Sequence, residues 1–156
     1  MGMNFTRRDQ ASMLQLALGL THSLAWRSDA LAIGGYNAAG DLAVIAVFQE
    51  FYGTEAEMHL ATVNGHLINR TTMAAFSQIG FSPSCLNLTR VWVSIAADNP
   101  RAQASAIRAG FEFEYRKRSG FLGHKDAIVL SIHRPTPDAV RSADANEHHT
   151  FNKEMR

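Results

Sequence analysis

Cysteine is nearly absent: Cys85 stands alone in 156 residues. No internal disulfide can form, and a reducing compartment is the natural expectation. Long apolar runs are missing too, and none approaches the roughly 20 residues a helix needs to cross a bilayer. The opening MGMNFTRRDQ has neither the apolar stretch nor the small-residue cleavage site of a signal peptide. These absences predict a cytoplasmic protein with no membrane partner. Charge of one sign is also lacking. The chain carries 15 Lys and Arg against 14 Asp and Glu, a net charge of +1, which gives no global pull toward nucleic acid or anionic lipid. Arg116-Lys117-Arg118, with Arg101 and Arg108, reads as a solvated sheet edge and not as a nucleic-acid face. A phosphate loop is not to be found at Gly34-Gly35, because another strand follows instead of a helix; a bulge or a close backbone approach explains the pair. His148-His149 is too sparse for a metal site, so no metal is expected.

What is present suits one domain. Apolar residues make up 46% and charged ones 19%, ordinary for a chain long enough to bury a core. That domain is expected over residues 1–134. Residues 135–156 show no apolar period and are expected to form a polar, flexible tail. Thr6 to Trp26 reads as a helix, capped by Thr6 with Asp9 completing a capping box. Its stripe of Met13, Leu16, Ala17, Leu20 and Leu24 is expected to face the core. ALAIGGY and LAVIAVF then flank an Asn37–Gly40 turn as a hairpin, the second arm inside the sheet. A strand from Glu57 to Val63 follows. Its period of two sets Glu57, His59, Ala61 and Val63 on one face. Residues 64–72 lead into a helix, MAAFSQIGF, that Ser82-Pro83-Ser84 breaks.

Arg90 to Phe111 is the most informative stretch. RVWVSIA reads as a buried strand, apolar on both faces. Asp98-Asn99-Pro100 ends it and opens a helix, with Pro100 at a position where its missing N–H costs nothing. Gly110 ends the helix, and Phe111 enters two further strands, EFEYRKR and HKDAIVLSIHR. The spacing of Arg90, Asn99, Ala102, Gly110, Phe111, Glu114 and Arg116 resembles the C-terminal half of Gcn5-related N-acetyltransferases. It is most similar to the ribosomal-protein-acetylating branch and its bacteriophage relatives.

The resemblance implies a mixed α/β fold: a central, mainly antiparallel sheet, helices on both faces, and one parallel strand pair that splays into a cleft. It implies acetyl-coenzyme A as cofactor and an amine on a protein or small molecule as acceptor, with a homodimer left open. Glu57 and His59 become the candidate general bases, beside the plainer reading of a solvated strand end and a hydrogen-bonded core histidine. A backbone N–H at Val63 becomes the donor to the developing oxyanion. The family's glycine-rich turn is replaced here, with Leu67 and Asn69 near its glycine positions and Gly65 the only glycine left. Asn69, Arg70 and Thr71 are then expected to hold the phosphates at a helix N-terminus. Asn99 is expected beside the pantetheine arm, a role compatible with helix capping. The family's usual thiolate-protonating Tyr is Ala106. A second class stays open: a fold relative that has lost the reaction and binds a protein partner or serves in a virion.

Overall fold

The computed structural model describes residues 3–65 and 68–136. The expected tail beyond 136, His148-His149 and Leu67 lie outside them. The chain runs β1 (Asn4–Thr6), α1 (Gln10–Thr21), β2 (Leu31–Tyr36), β3 (Leu42–Tyr52), β4 (Glu55–Thr62) and α2 (Arg70–Phe81). It continues through β5 (Arg90–Ala96), α3 (Pro100–Arg108), β6 (Glu112–Phe121) and β7 (Lys125–His133). One sheet takes the strands in the order β1-β2-β3-β4-β5-β7-β6, antiparallel everywhere except between β4 and β5. α1 covers one face, where Met13 and Ala17 pack on Ala32, Ile45, Val47 and Ala61. The other face buries Ile33, Phe48, Met58 and Val91 with Met73 and Phe76 of α2 and Ala106 of α3. This is the expected mixed α/β class, with helices on both faces.

The hairpin forms because Asn37 organises its turn. Its side chain accepts from the N–H groups of Ala39 and Asp41, both at 3.0 Å, and Gly40 supplies a φ of +86° that other residues resist. Gly34-Gly35 marks a close approach: a Cβ on Gly35 would run into the Met3 sulfur and lie 3.0 Å from the Phe76 ring. β3 then lies between β2 and β4, as its two apolar faces require.

The parallel pair is short. Only Glu55↔Arg90, Ala56↔Val91 and Glu57↔Trp92 join β4 to β5. Beyond them β4 stays with β3 as far as Thr62, and β5 stays with β7 as far as Ala96. The two strands therefore splay, and a cleft opens between them.

The N-terminus departs from expectation. Thr6 does not cap a helix; it ends β1, which pairs with β2. Asp9 precedes α1 in a left-handed conformation and makes no side-chain cap. A tertiary contact sets the helix start instead: the Gln10 amide receives the Ala32 N–H at 2.8 Å and donates to the Ala32 carbonyl at 2.7 Å. Of the apolar stripe, Met13 and Ala17 are buried, while Leu16, Leu20 and Leu24 are exposed. Small residues on the sheet below, Ala32 and Ala61 among them, draw in only the part of the helix directly above. Boundaries also move: α1 ends at Thr21, where His22 takes a left-handed conformation, and not at Trp26, while β4 begins at Glu55 and α2 at Arg70.

Candidate active site

On the α1 face, β4 carries Glu57 and His59 side by side. Glu57 is buried at 6% exposure, and its Oε1 lies 3.0 Å from His59 Nε2. β3 supplies a third member, because Gln49 is the register partner of Glu57. The Gln49 Oε1 accepts the Arg27 backbone N–H at 2.9 Å, which fixes the amide with its NH₂ turned inward. That Nε2 lies 3.5 Å from Glu57 Oε2 and 3.2 Å from His59 Nε2. One nitrogen cannot both donate and accept, so with the proton on His59 Nε2 the imidazole donates to Glu57 and Gln49 bonds the other carboxylate oxygen. Nδ1 then carries the lone pair. Trp26 closes the cluster from above: its Nε1–H donates to the Leu14 carbonyl at 2.7 Å, and its ring meets His59 edge-on at 5.3 Å. A base oriented by a carboxylate is an arrangement that takes up a proton and steadies the resulting cation.

The cluster opens on the β4–β5 splay, a cavity of about 1020 Å³ lined by Glu57, His59, Trp92, Asn99, Tyr115 and their neighbours. The Asn99 side-chain Oδ1 caps α3, accepting the Ala102 N–H at 3.2 Å, while the residue also lines the cavity. Ala106 is fully buried in the core, away from this wall, whereas Tyr115 of β6 lines it. Backbone donors line it as well. Val63 gives its N–H to the Ala43 carbonyl at 2.8 Å, and antiparallel pairing turns alternate residues the other way. Leu60 and Thr62 thus direct their N–H groups to the β5 side, past the last paired residues.

The phosphate candidates lie at and just before the start of α2. Gly65 has a φ of +75° with open space around it. Asn69 caps α2, its Oδ1 accepting from the Thr72 N–H at 3.0 Å and hydroxyl at 3.2 Å. The first N–H groups of a helix lack intrahelical partners, and among the described residues nothing is seen to accept from those of Arg70 and Thr71. The structure therefore gathers Glu57, His59 and Asn99 around one cavity, while Val63, Gly65, Asn69, Arg70 and Thr71 are outside its lining. Sequence reasoning missed Gln49, Trp26 and Tyr115. The first is visible only through cross-strand register, and the other two arrive from the segment between α1 and β2 and from the edge strand β6.

No protein-family model matches the chain, and no curated protein matches it. In three dimensions it is similar to solved N-acetyltransferases. A chimera of the Vibrio cholerae spermidine N-acetyltransferase SpeG and hSSAT superposes with a TM-score of 0.72 at 16% identity, covering 85% of this chain and 96% of that one. The spermidine N-acetyltransferase of V. cholerae in complex with CoA and spermine gives 0.67 at 15% identity, over 84% and 95%. Likeness at such identity is likeness of fold. The splayed, mostly antiparallel sheet is the fold this chain shares with those enzymes.

Proposed function

We propose that the chain is an N-acetyltransferase that takes acetyl-coenzyme A in the β4–β5 cleft and acetylates a primary amine. The observation carrying this reading is the Glu57–His59 pair, 3.0 Å apart, standing on the wall of the splay. The cofactor fits the residues present. The cavity of about 1020 Å³ has room for a pantetheine arm between β4 and Asn99. The N-terminal N–H groups of α2 at Arg70 and Thr71, with the Arg70 guanidinium, suit phosphate oxygens, with Asn69 capping that helix and Gly65 nearby in sequence. The Val63 N–H, expected as the oxyanion donor, is instead taken by the Ala43 carbonyl. The V. cholerae enzyme solved with CoA and spermine supports the same use of the fold.

Bound, acetyl-coenzyme A supplies an acyl carbon activated as a thioester. The amine nitrogen bonds that carbon, the carbon–sulfur bond breaks with its electron pair on sulfur, and the surplus amine proton passes to His59 Nδ1. The departing thiolate takes a proton from solvent. Glu57 steadies the imidazolium. The Leu60 and Thr62 N–H groups offer hydrogen bonds to the negative charge that develops on the acyl oxygen. Within this activity, the Asn99…Gly110-Phe111…Glu114 spacing favours the ribosomal-protein-acetylating branch and hence peptide N-termini among the acceptors.

Calorimetric titration with acetyl-coenzyme A, followed by thiol release against amines and N-terminal peptides, tests the reading. Saturable binding with amine-dependent thiol release is expected. Absence of both rejects it, and binding without turnover on any acceptor returns the chain to the non-catalytic class.

A further inference from the structure

The cavity that His59 lines is rich in exposed apolar side chains, and both of its carboxylates already have partners. Eight large hydrophobic side chains are exposed among the described residues, and four of them, Leu20, Leu24, Tyr115 and Leu122, line this one cavity. Leu24 is 91% exposed. It follows α1 and stands two residues before Trp26, whose ring covers His59. Both carboxylates of the lining are engaged: Glu57 by His59 at 3.0 Å and Glu50 by Arg27 at 2.6 Å. The other charged side chains there, Arg101 and Lys117, are cationic.

A polyamine brings several ammonium groups, each needing a carboxylate or water once it enters a cleft. This wall offers one carboxylate beside the base and repels further positive charge. An apolar group on a single amine removes Leu20, Leu24 and Trp26 from water instead, and apolar burial is favourable in proportion to area. We infer that the acceptor is a primary monoamine bearing an aromatic or branched aliphatic group, free or as the first residue of a peptide. This rests on the acetyltransferase reading above, yet the amine pocket can be measured without it.

The chain has two tryptophans, Trp26 and Trp92, and both line the cavity, so intrinsic fluorescence reports its occupancy. Phenethylamine and a Leu- or Phe-initiated tripeptide should shift the emission saturably, and spermidine should not. With saturating acetyl-coenzyme A, kcat/KM should favour the apolar amine over spermidine and spermine at least about tenfold, the discrimination expected of a hydrophobic pocket. The free amine and the peptide are separated by comparing their own kcat/KM values. Leu24→Glu, at an exposed position where folding is not at stake, should lower the preference about tenfold or reverse it, and Leu20→Glu should do the same. Binding of the apolar amine without acetyl transfer, in a protein that gives no heat with acetyl-coenzyme A, supports the pocket and sinks the transferase reading. Spermidine bound or acetylated as well as phenethylamine overturns the pocket assignment. So does fluorescence unmoved by either class, or a preference unchanged in both variants.

Discussion

Arg90 and Glu114 are joined at 2.6 Å, Nη2 to Oε2, across the strand that lies between them. β5 and β6 are both neighbours of β7, so the pair clasps three strands. Arg90 also reaches Glu55 of β4 at 3.6 Å, and the Ser131 hydroxyl of β7 donates to the other Glu114 oxygen. The clasp sits at the closed end of the parallel pair, two residues before the splay begins. It holds β4 and β5 together where the cleft must not open.

Arg90→Ala should therefore destabilise the fold and not only trim its surface. Arg90 is 16% and Glu114 29% exposed at the side chain, between the exposed pairs that contribute little and the buried ones whose breaking is severe. A loss of about 1–3 kcal/mol is expected, read by urea unfolding. A change below roughly 0.5 kcal/mol, the scale of an ordinary surface pair, would show that the clasp is not structural.

The same contact sets an acid limit. The Arg90 guanidinium first, and the Ser131 hydroxyl second, hold the Glu114 carboxyl below its ordinary value. A carboxyl lowered in the folded state contributes stability above its unfolded pKa and loses it as pH falls through the folded one. The stability advantage of the wild type over Glu114→Gln should be full near about pH 7 and close as the pH drops below about 4. An advantage that persists unchanged into acid would mean the carboxylate charge is irrelevant.

Much of this was legible because it is local. Asn99, Pro100 and Gly110 specify α3 within twelve residues, and Asn37 with Gly40 specifies the hairpin; neither needs the rest of the chain. Period-two reading also set Glu57 beside His59 on one face. The spacing that suggested the family contains Arg90 and Glu114, yet their role as a clasp needs the β5-β7-β6 order. Gln49 was hidden for the same reason, since only register puts it opposite Glu57. The start of α1 was misread because the Gln10 contact with Ala32, distant in sequence, outweighs a capping pattern at Thr6 and Asp9.

Arg70 gives a direct test of the phosphate end. It begins α2, at the end where helix N–H groups lack intrahelical partners, and a guanidinium adds a charge-assisted contact. Arg70→Ala should weaken acetyl-coenzyme A binding by about 1.5–3 kcal/mol, the scale of hydrogen bonds to charged groups, in calorimetric titration. An unchanged affinity would place the phosphates elsewhere.

Two glycines should respond in opposite directions to alanine. A methyl at Gly35 meets the Met3 sulfur, which can move, and the ring of fully buried Phe76, which packs on Phe5 at 5.2 Å and cannot. Gly35→Ala should cost about 1–3 kcal/mol, the usual range for overpacking. Gly19 lies in α1 with no atom near its added methyl, so Gly19→Ala should add about 0.5–1 kcal/mol. Thermal melts of both variants decide whether the contact at Gly35 is as tight as its geometry.

The catalytic cluster gives the sharpest separation of roles. If His59 takes the amine proton, His59→Ala should lower kcat by about 10²–10⁴-fold, the usual worth of a general base, with acetyl-coenzyme A binding intact. Added imidazole should restore part of the loss, which no repacking effect would allow. Glu57→Gln keeps the shape but no longer steadies an imidazolium, so its loss should fall in the same range and resist imidazole. Gln49→Glu keeps an acceptor for the Arg27 N–H but replaces the amide that donates to Glu57, so kcat should fall by less than in either of the others. Because Gln49 is held by the Arg27 peptide and not by substrate, KM for the amine should hardly move. Full turnover in His59→Ala would assign the proton to another group and end the dyad argument.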